Sequence, residues 1–179
     1  MSDSTLYDDD ILLWSEQQAA AIRRLAHGRD VPNELDIENV AEEIESVGRS
    51  ELAAVKSYIR LIFVHFIKLI AEADSVSARH WRSEIVAFHS EMMTRYAPSM
   101  RQRIDVDEIW RSAREQSMLV YEGAEENLVS RLSRGSPFAL DVLVAERIDP
   151  SRLAERLQRE SVIAKVDPKT APQTEPKKS

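Results

Sequence analysis

A chain of 179 residues, 43% of them apolar and 31% charged, is long enough for one domain with a genuine core and ordinary for a globular fold. It contains no cysteine, which excludes disulfides, thiolate metal sites and cysteine nucleophiles. Its net charge of −7 argues against general nucleic-acid affinity through phosphate neutralisation. The sign is uneven, with the acidic excess before Ser130 and slightly more Lys and Arg than Asp and Glu from Arg131 onward. The start, MSDSTLYDDD, lacks the basic end and apolar centre of a signal peptide, so a cytoplasmic protein is expected.

Few alternating β-branched runs and long stretches of period 3.6 predict an all-α chain. The first helix is expected from about Asp9 to Ala26, capped by Asp8 or Asp9. Ile11, Trp14, Gln18, Ile22 and Leu25 would form its inward stripe, with His27-Gly28 ending it and Arg23 and Arg24 complementing its dipole. Val31-Pro32-Asn33-Glu34 is the turn into the next element.

That element, Leu35 to Ala73, organises the chain as one central helix or two collinear ones. Asp36 is its N-cap, and Ile37, Val40, Ala41, Ile44 and Val47 give its first half one buried face. Gly48 costs roughly 1 kcal/mol against alanine inside a helix. It marks a kink, a break with Ser50 recapping, or the close approach of another helix. From Leu52 the helix is apolar on most sides (Leu52, Val55, Ile59, Ile62, Phe66 and Leu69 lead), hence buried, with Ser57, Arg60 and Lys68 as its wet edge. Tyr58 to Ala71 would reach about 21 Å at 1.5 Å per residue, short of a ~30 Å hydrocarbon core. No membrane span is therefore expected.

After an Asp74 to Ser77 loop, Ser77 should cap a third helix on Trp81, Ile85, Phe88, Met92 and Tyr96, stopped by Pro98. A fourth starts between Ser99 and Asp107 and runs to about Glu126 on Ile104, Ile109, Ala113 and Val120. Ser136-Pro137 is the cap and first position of a helix from Phe138 to Ile148. Ser151 caps a last one on Leu153, Leu157 and Val162. The tail from Val166 has nothing to bury and is expected to be disordered.

YDDDILLW (Tyr7 to Trp14), LDIENVAEEIESVGRSE (Leu35 to Glu51), the His65 to Lys68 run, Trp81-Arg82 and SPFALDVLV…IDP (Ser136 to Pro150) carry a resemblance. Together they resemble a bacterial family catalogued as domain of unknown function number twenty-nine, over about four-fifths of the chain. The resemblance implies an α-helical up-and-down bundle and no particular activity. Phe138 stands where the family usually carries tryptophan, and Leu69-Ile70 is less aromatic than its pattern. Residues 1–150 would form the bundle, 151–165 an appended helix and 166–179 the tail.

Candidate chemistry is sparse. None of His27, His65, His80 and His89 has a Glu three residues before it, so the di-iron bundle signature is missing, as is HExxH. If the second and third helices are antiparallel about Asp74-Ser75, Glu84 falls level with His65, and a satisfied buried histidine results. Arg60-x4-His65 and Arg82-x6-His89 match the spacing of HEPN-type ribonucleases, yet residues five apart on one helix diverge by ~140°. Glu38, Glu42, Glu45 and Arg49 share a face opposite the apolar one: a solvated face, or a docking patch for a basic partner, the chain's own C-terminal region included.

The sequence therefore predicts an all-α up-and-down bundle of about five or six helices around a long buried central one. It predicts a non-enzymatic bacterial interaction module with a protein partner or a second copy, without cofactor, metal or catalytic residues. The alternative is a HEPN-like ribonuclease using an Arg/His pair.

Overall fold

The structure, a computed structural model, describes residues 5–25, 32, 34–121 and 128–163. The expected His27-Gly28 stop, most of the turn after it, the 122–126 end of the fourth helix and the C-terminal tail lie outside these residues. Among the described residues there are helices and turns but no strand. The helices are α1 (Leu6–Asp9), α2 (Ile11–Leu25), α3 (Ile37–Ala71), α4 (Ala78–Met93), α5 (Val106–Val120), α6 (Leu140–Leu143) and α7 (Pro150–Ile163). Two 3₁₀ turns, Pro98–Arg103 and Leu128–Arg131, complete the chain path.

The axis is α3, an unbroken helix of 35 residues, about 52 Å long at 1.5 Å per residue. Asp36 caps it, its carboxylate accepting from the Asn39 amide at 3.2 Å. The other long helices have 14 to 16 residues, so none can cover the whole rod. The molecule solves this with two packing zones. Against the first half of α3 lies α2, antiparallel: Leu12 and Ser15 meet Gly48, and Arg23 reaches Glu38. Around the second half lie α4, α5 and α7. There α4 runs down from His65–Glu84 to Glu51–Arg95, and α5 runs up from beside Ser57 to Tyr121–Glu72. The up-and-down order expected from the sequence is present.

Ile59, Ile62, Phe63, Phe66 and Ile67 of the second half are all fully buried, and Phe63 sits edge-on to Trp110 with ring centroids 5.1 Å apart. Phe138 stacks on Phe63 and meets Phe66 edge-on. Each such side chain contributes roughly 1.5–3 kcal/mol by leaving water. The first half is different, because one partner helix covers only a narrow arc. Ala41 and Gly48 are buried, Ile37 and Ile44 half-buried. Val40 and Val47, expected inside, are 37% and 43% exposed; they lie 80–100° round the helix from Gly48, beyond the reach of α2.

Several expected ends and stripes shift for local physical reasons. Asp10, not Asp8 or Asp9, caps α2: its Oδ1 accepts from the Leu13 amide at 3.0 Å, while Asp8 accepts from Thr5 at the start of α1. The inward stripe of α2 is Leu12, Ser15 and Ala19, with Ile11, Trp14, Gln18 and Ile22 half-buried and Leu25 exposed. Ser77 makes no capping bond at α4; Ser75 Oγ accepts from the Ser77 amide instead. Asp105 caps α5, Trp110 joins its buried set, and Val120 is exposed near its end. Ser136 does not open a long helix, because its hydroxyl turns back on Phe138 and only Leu140–Leu143 is helical. Asp149 rather than Ser151 caps α7, accepting from the Ser151 and Arg152 amides at 3.1 Å each, with Pro150 in the first position.

Candidate functional site

The titratable residues of the core come first, because they decide between catalysis and scaffolding. His65 is 6% exposed. Its Nδ1 lies 2.8 Å from the Leu61 carbonyl, which can only accept, and its Nε2 lies 2.9 Å from Glu84 Oε2. Both ring nitrogens are thus committed, as antiparallel pairing about Asp74-Ser75 predicts. The exposed His80 approaches the same Glu84 oxygen at 3.3 Å, and Phe88 lies edge-on to the His65 ring at 5.2 Å. Arg60 turns to Gln116 on α5 instead, so the spaced pair Arg60 and His65 has no common site. Among the described residues no group of three or more metal-ligating side chains is placed to hold an ion.

His89 is 5% exposed, and among the described residues its Nε2 has no hydrogen-bond partner. Burial pushes its pKa below the ordinary histidine value, against the opposing pull of the Ala145 and Leu143 carbonyls. Arg82, its sequence-spaced companion, is exposed two turns away along α4 and lines a different cleft.

The predicted patch is a staple between α2 and α3. Arg23 Nε lies 3.0 Å from Glu38, and its Nη2 lies 3.0 Å from Glu45 and 3.7 Å from Glu42. Arg49 pairs with Glu42 from the same helix and approaches Glu45 at 3.7 Å. Hydrogen bonds to Glu38 and Glu45 raise the Arg23 pKa further above its usual value. Pairs this exposed are weak: they help to set the register of α2 and contribute little more. Sequence reasoning assigned Arg23 to the helix dipole; a partner on another helix leaves no mark in local spacing.

On the opposite flank of the same arm the structure opens a groove of about 470 Å³. Tyr7, Asp8, Asp9 and Ile11 supply one wall, Val47 and Glu51 of α3 the second, and Thr94 to Ala97 the third. The walls are held by buried polar contacts. Asp10, 6% exposed, takes Ser99 Oγ at 2.6 Å and the Ser99 amide at 2.9 Å, tying the chain start to the turn after α4. Burial alone would raise the Asp10 pKa, but the bonds from Ser99 and Leu13 outweigh it and leave the carboxyl below its usual value. Glu51 accepts from Arg95 Nη1 at 2.9 and 3.1 Å and keeps that guanidinium firmly charged. Tyr7 packs edge-on against Trp14 at 4.8 Å. With Arg95 matched by Glu51, the exposed Asp8 carboxylate stands beside an apolar strip.

The two segments that carry the strongest resemblance, YDDDILLW and AEEIES…GRSE, meet in this groove. Only the third dimension brings in Arg95 and Ser99, which is why the sequence did not single them out.

A helical bundle with one long axial helix and an acidic groove at the base of its arm is the class that fold and site define. The pattern of the family described as domain of unknown function DUF29 matches residues 6–147, and the chain belongs to that family. A crystal structure of an α-helical protein of unknown function from Rhodospirillum rubrum ATCC 11170 is similar, with 33% sequence identity and a TM-score of 0.78, covering 87% of this chain and 99% of that one. No curated protein matches the chain. No helix among the described residues is long and apolar enough to cross a membrane.

Proposed function

We propose that the chain is a non-enzymatic protein-interaction module of the bacterial cytoplasm, and that its groove takes a basic segment of a partner protein carrying one apolar anchor. The observation that carries this reading is the groove itself. Carboxylates of Asp8 and Asp9 flank an apolar strip of Tyr7, Ile11 and Val47, and Tyr7 and Val47 are left half in water. An apolar residue left exposed beside aligned charge is the usual signature of a partner surface. The hydrolase reading lacks such support, because the nitrogens of His65 are occupied and Nε2 of His89 is enclosed. The staple residues Glu38, Glu42, Glu45 and Arg49 remain as a second docking face; a partner there must compete with Arg23.

The test separates shape from charge. Fluorescence anisotropy with a lysine-rich peptide holding one central leucine should give saturable binding that weakens about tenfold or more in Val47→Glu, since losing an anchored side chain costs upward of 1–2 kcal/mol. The substitution adds negative charge, so a purely electrostatic association would tighten instead. Tighter or unchanged binding rules out the groove as the docking site.

A further inference from the structure

Two groups of arginines in this protein differ in their surroundings. Arg23, Arg49, Arg95, Arg101 and Arg103 each face a carboxylate. A second group gathers where the chain leaves α6 and enters α7. There a cleft of about 380 Å³ is lined by Arg147, Arg152, Arg156 and Arg159, with Asp149 as its one carboxylate. On α7, Arg152, Arg156 and Arg159 stand at i, i+4 and i+7, within an arc of roughly 60°. Among the described residues no ion pair involves Arg147, Arg152 or Arg159.

Arg156 is held by Pro137, whose carbonyl accepts from Nη2 at 3.2 Å, and by the Phe138 ring, 5.5 Å from its guanidinium carbon. Asp149 is already committed to the amides of Ser151 and Arg152. Glu146 and Glu155 are exposed and lie outside the lining. Arg147, Arg152 and Arg159 therefore bring more positive charge to the cleft than its one lining carboxylate can balance. The chain as a whole is acidic, with a net charge of −7, and this cleft gathers more arginines than the neighbouring one, which has Arg79 and Arg82. The cleft lies largely beyond residues 6–147, so it belongs to α7 and its approach rather than to the family pattern.

We infer that this four-arginine cleft binds a small ligand carrying several linked phosphate groups. Planar guanidinium forks match phosphate oxygens in pairs, and several forks around one concavity suit a compact oligophosphate. A long polyanion is disfavoured, since it would extend beyond a cleft of about 380 Å³.

Isothermal titration of the full chain with sodium tripolyphosphate, with ATP and with a single-stranded oligonucleotide tests this. Tripolyphosphate should bind with one-to-one stoichiometry, about tenfold or more weakly in Arg152→Gln/Arg159→Gln, since each charge-assisted hydrogen bond is worth a factor of that order. Both side chains are exposed, and a second variant, Arg147→Gln, should weaken binding similarly from the other wall. Arg79→Gln/Arg82→Gln, in the neighbouring cleft on α4, should leave it unchanged. Binding of ATP as well assigns the natural source to nucleotides; binding of tripolyphosphate alone assigns it to inorganic chains. No binding of either at millimolar concentration, equal affinity in the double variant, or tighter binding of the oligonucleotide overturns the inference.

Discussion

Gly48→Ala should lower the unfolding free energy by about 1–3 kcal/mol, the usual cost of overfilling a packed contact. Helix propensity alone predicts the opposite sign, because alanine is favoured over glycine by about 1 kcal/mol inside a helix. The contact decides. A Cβ at position 48 would stand 2.2 Å from Ser15 Oγ and 2.9 Å from the Cα of Leu12. The hydroxyl can rotate away, although that breaks its 2.9 Å bond to the Leu12 carbonyl; the Leu12 backbone cannot move without shifting α2. Urea denaturation of Gly48→Ala and of Gly48→Ala/Ser15→Gly checks this. The double variant should recover only part of the loss, since the Leu12 backbone still stands in the way. A Gly48→Ala protein as stable as the parent would mean that the two helices are not in close contact.

Phe63→Ala should cost about 3–5 kcal/mol, the range for removing a fully buried aromatic ring. Phe63 is the ring that both Trp110 and Phe138 rest on, so its loss opens a void between three segments of the chain. Trp110 is further tied by its Nε1, which donates to the Ser133 carbonyl at 2.9 Å, and that tether hinders collapse into the void. Set against a total stability of about 5–15 kcal/mol for a domain, this substitution should bring the protein close to its unfolding threshold. A measured loss below about 1 kcal/mol would mean that the aromatic cluster is not the core.

How much of this was legible beforehand follows from what kind of signal each feature leaves. The greasy half of α3 announces itself, because wrapping by several helices demands apolar side chains all round. The arm half does not, since a single partner needs only a narrow line. Apolar spacing places Val40 and Val47 inside because it cannot tell a covered flank from an open one. The small residues Ser15 and Ala19 were passed over for the same reason in reverse: close helix approach selects for little side chain, and a search for bulky residues misses it. The open question at Gly48 is settled by α2 lying against it.

The shifted caps have tertiary and local causes. At Asp10 a tertiary bond decides among neighbouring carboxylates, because Ser99 holds Asp10 in place; at Asp149 the choice is local, since Pro150 takes the first helical position. At Ser136 the burial of Phe138 against Phe63 and Phe66 overrode a good local helix start. The His65–Glu84 pairing was legible because an antiparallel hairpin obeys simple arithmetic. The groove was not, since it joins Asp10 to Ser99 across 89 positions.

The docking groove is what the functional account stands on, and amide chemical-shift mapping interrogates it most directly. On titration of the isotopically labelled chain with the leucine-centred basic peptide, the largest shifts should fall on Tyr7 to Ile11, Val47 to Glu51 and Thr94 to Ala97, while the amides around Phe63 and Trp110 stay still. Shifts scattered over the Glu38–Arg49 staple alone, or no shifts at saturating peptide, would contradict it.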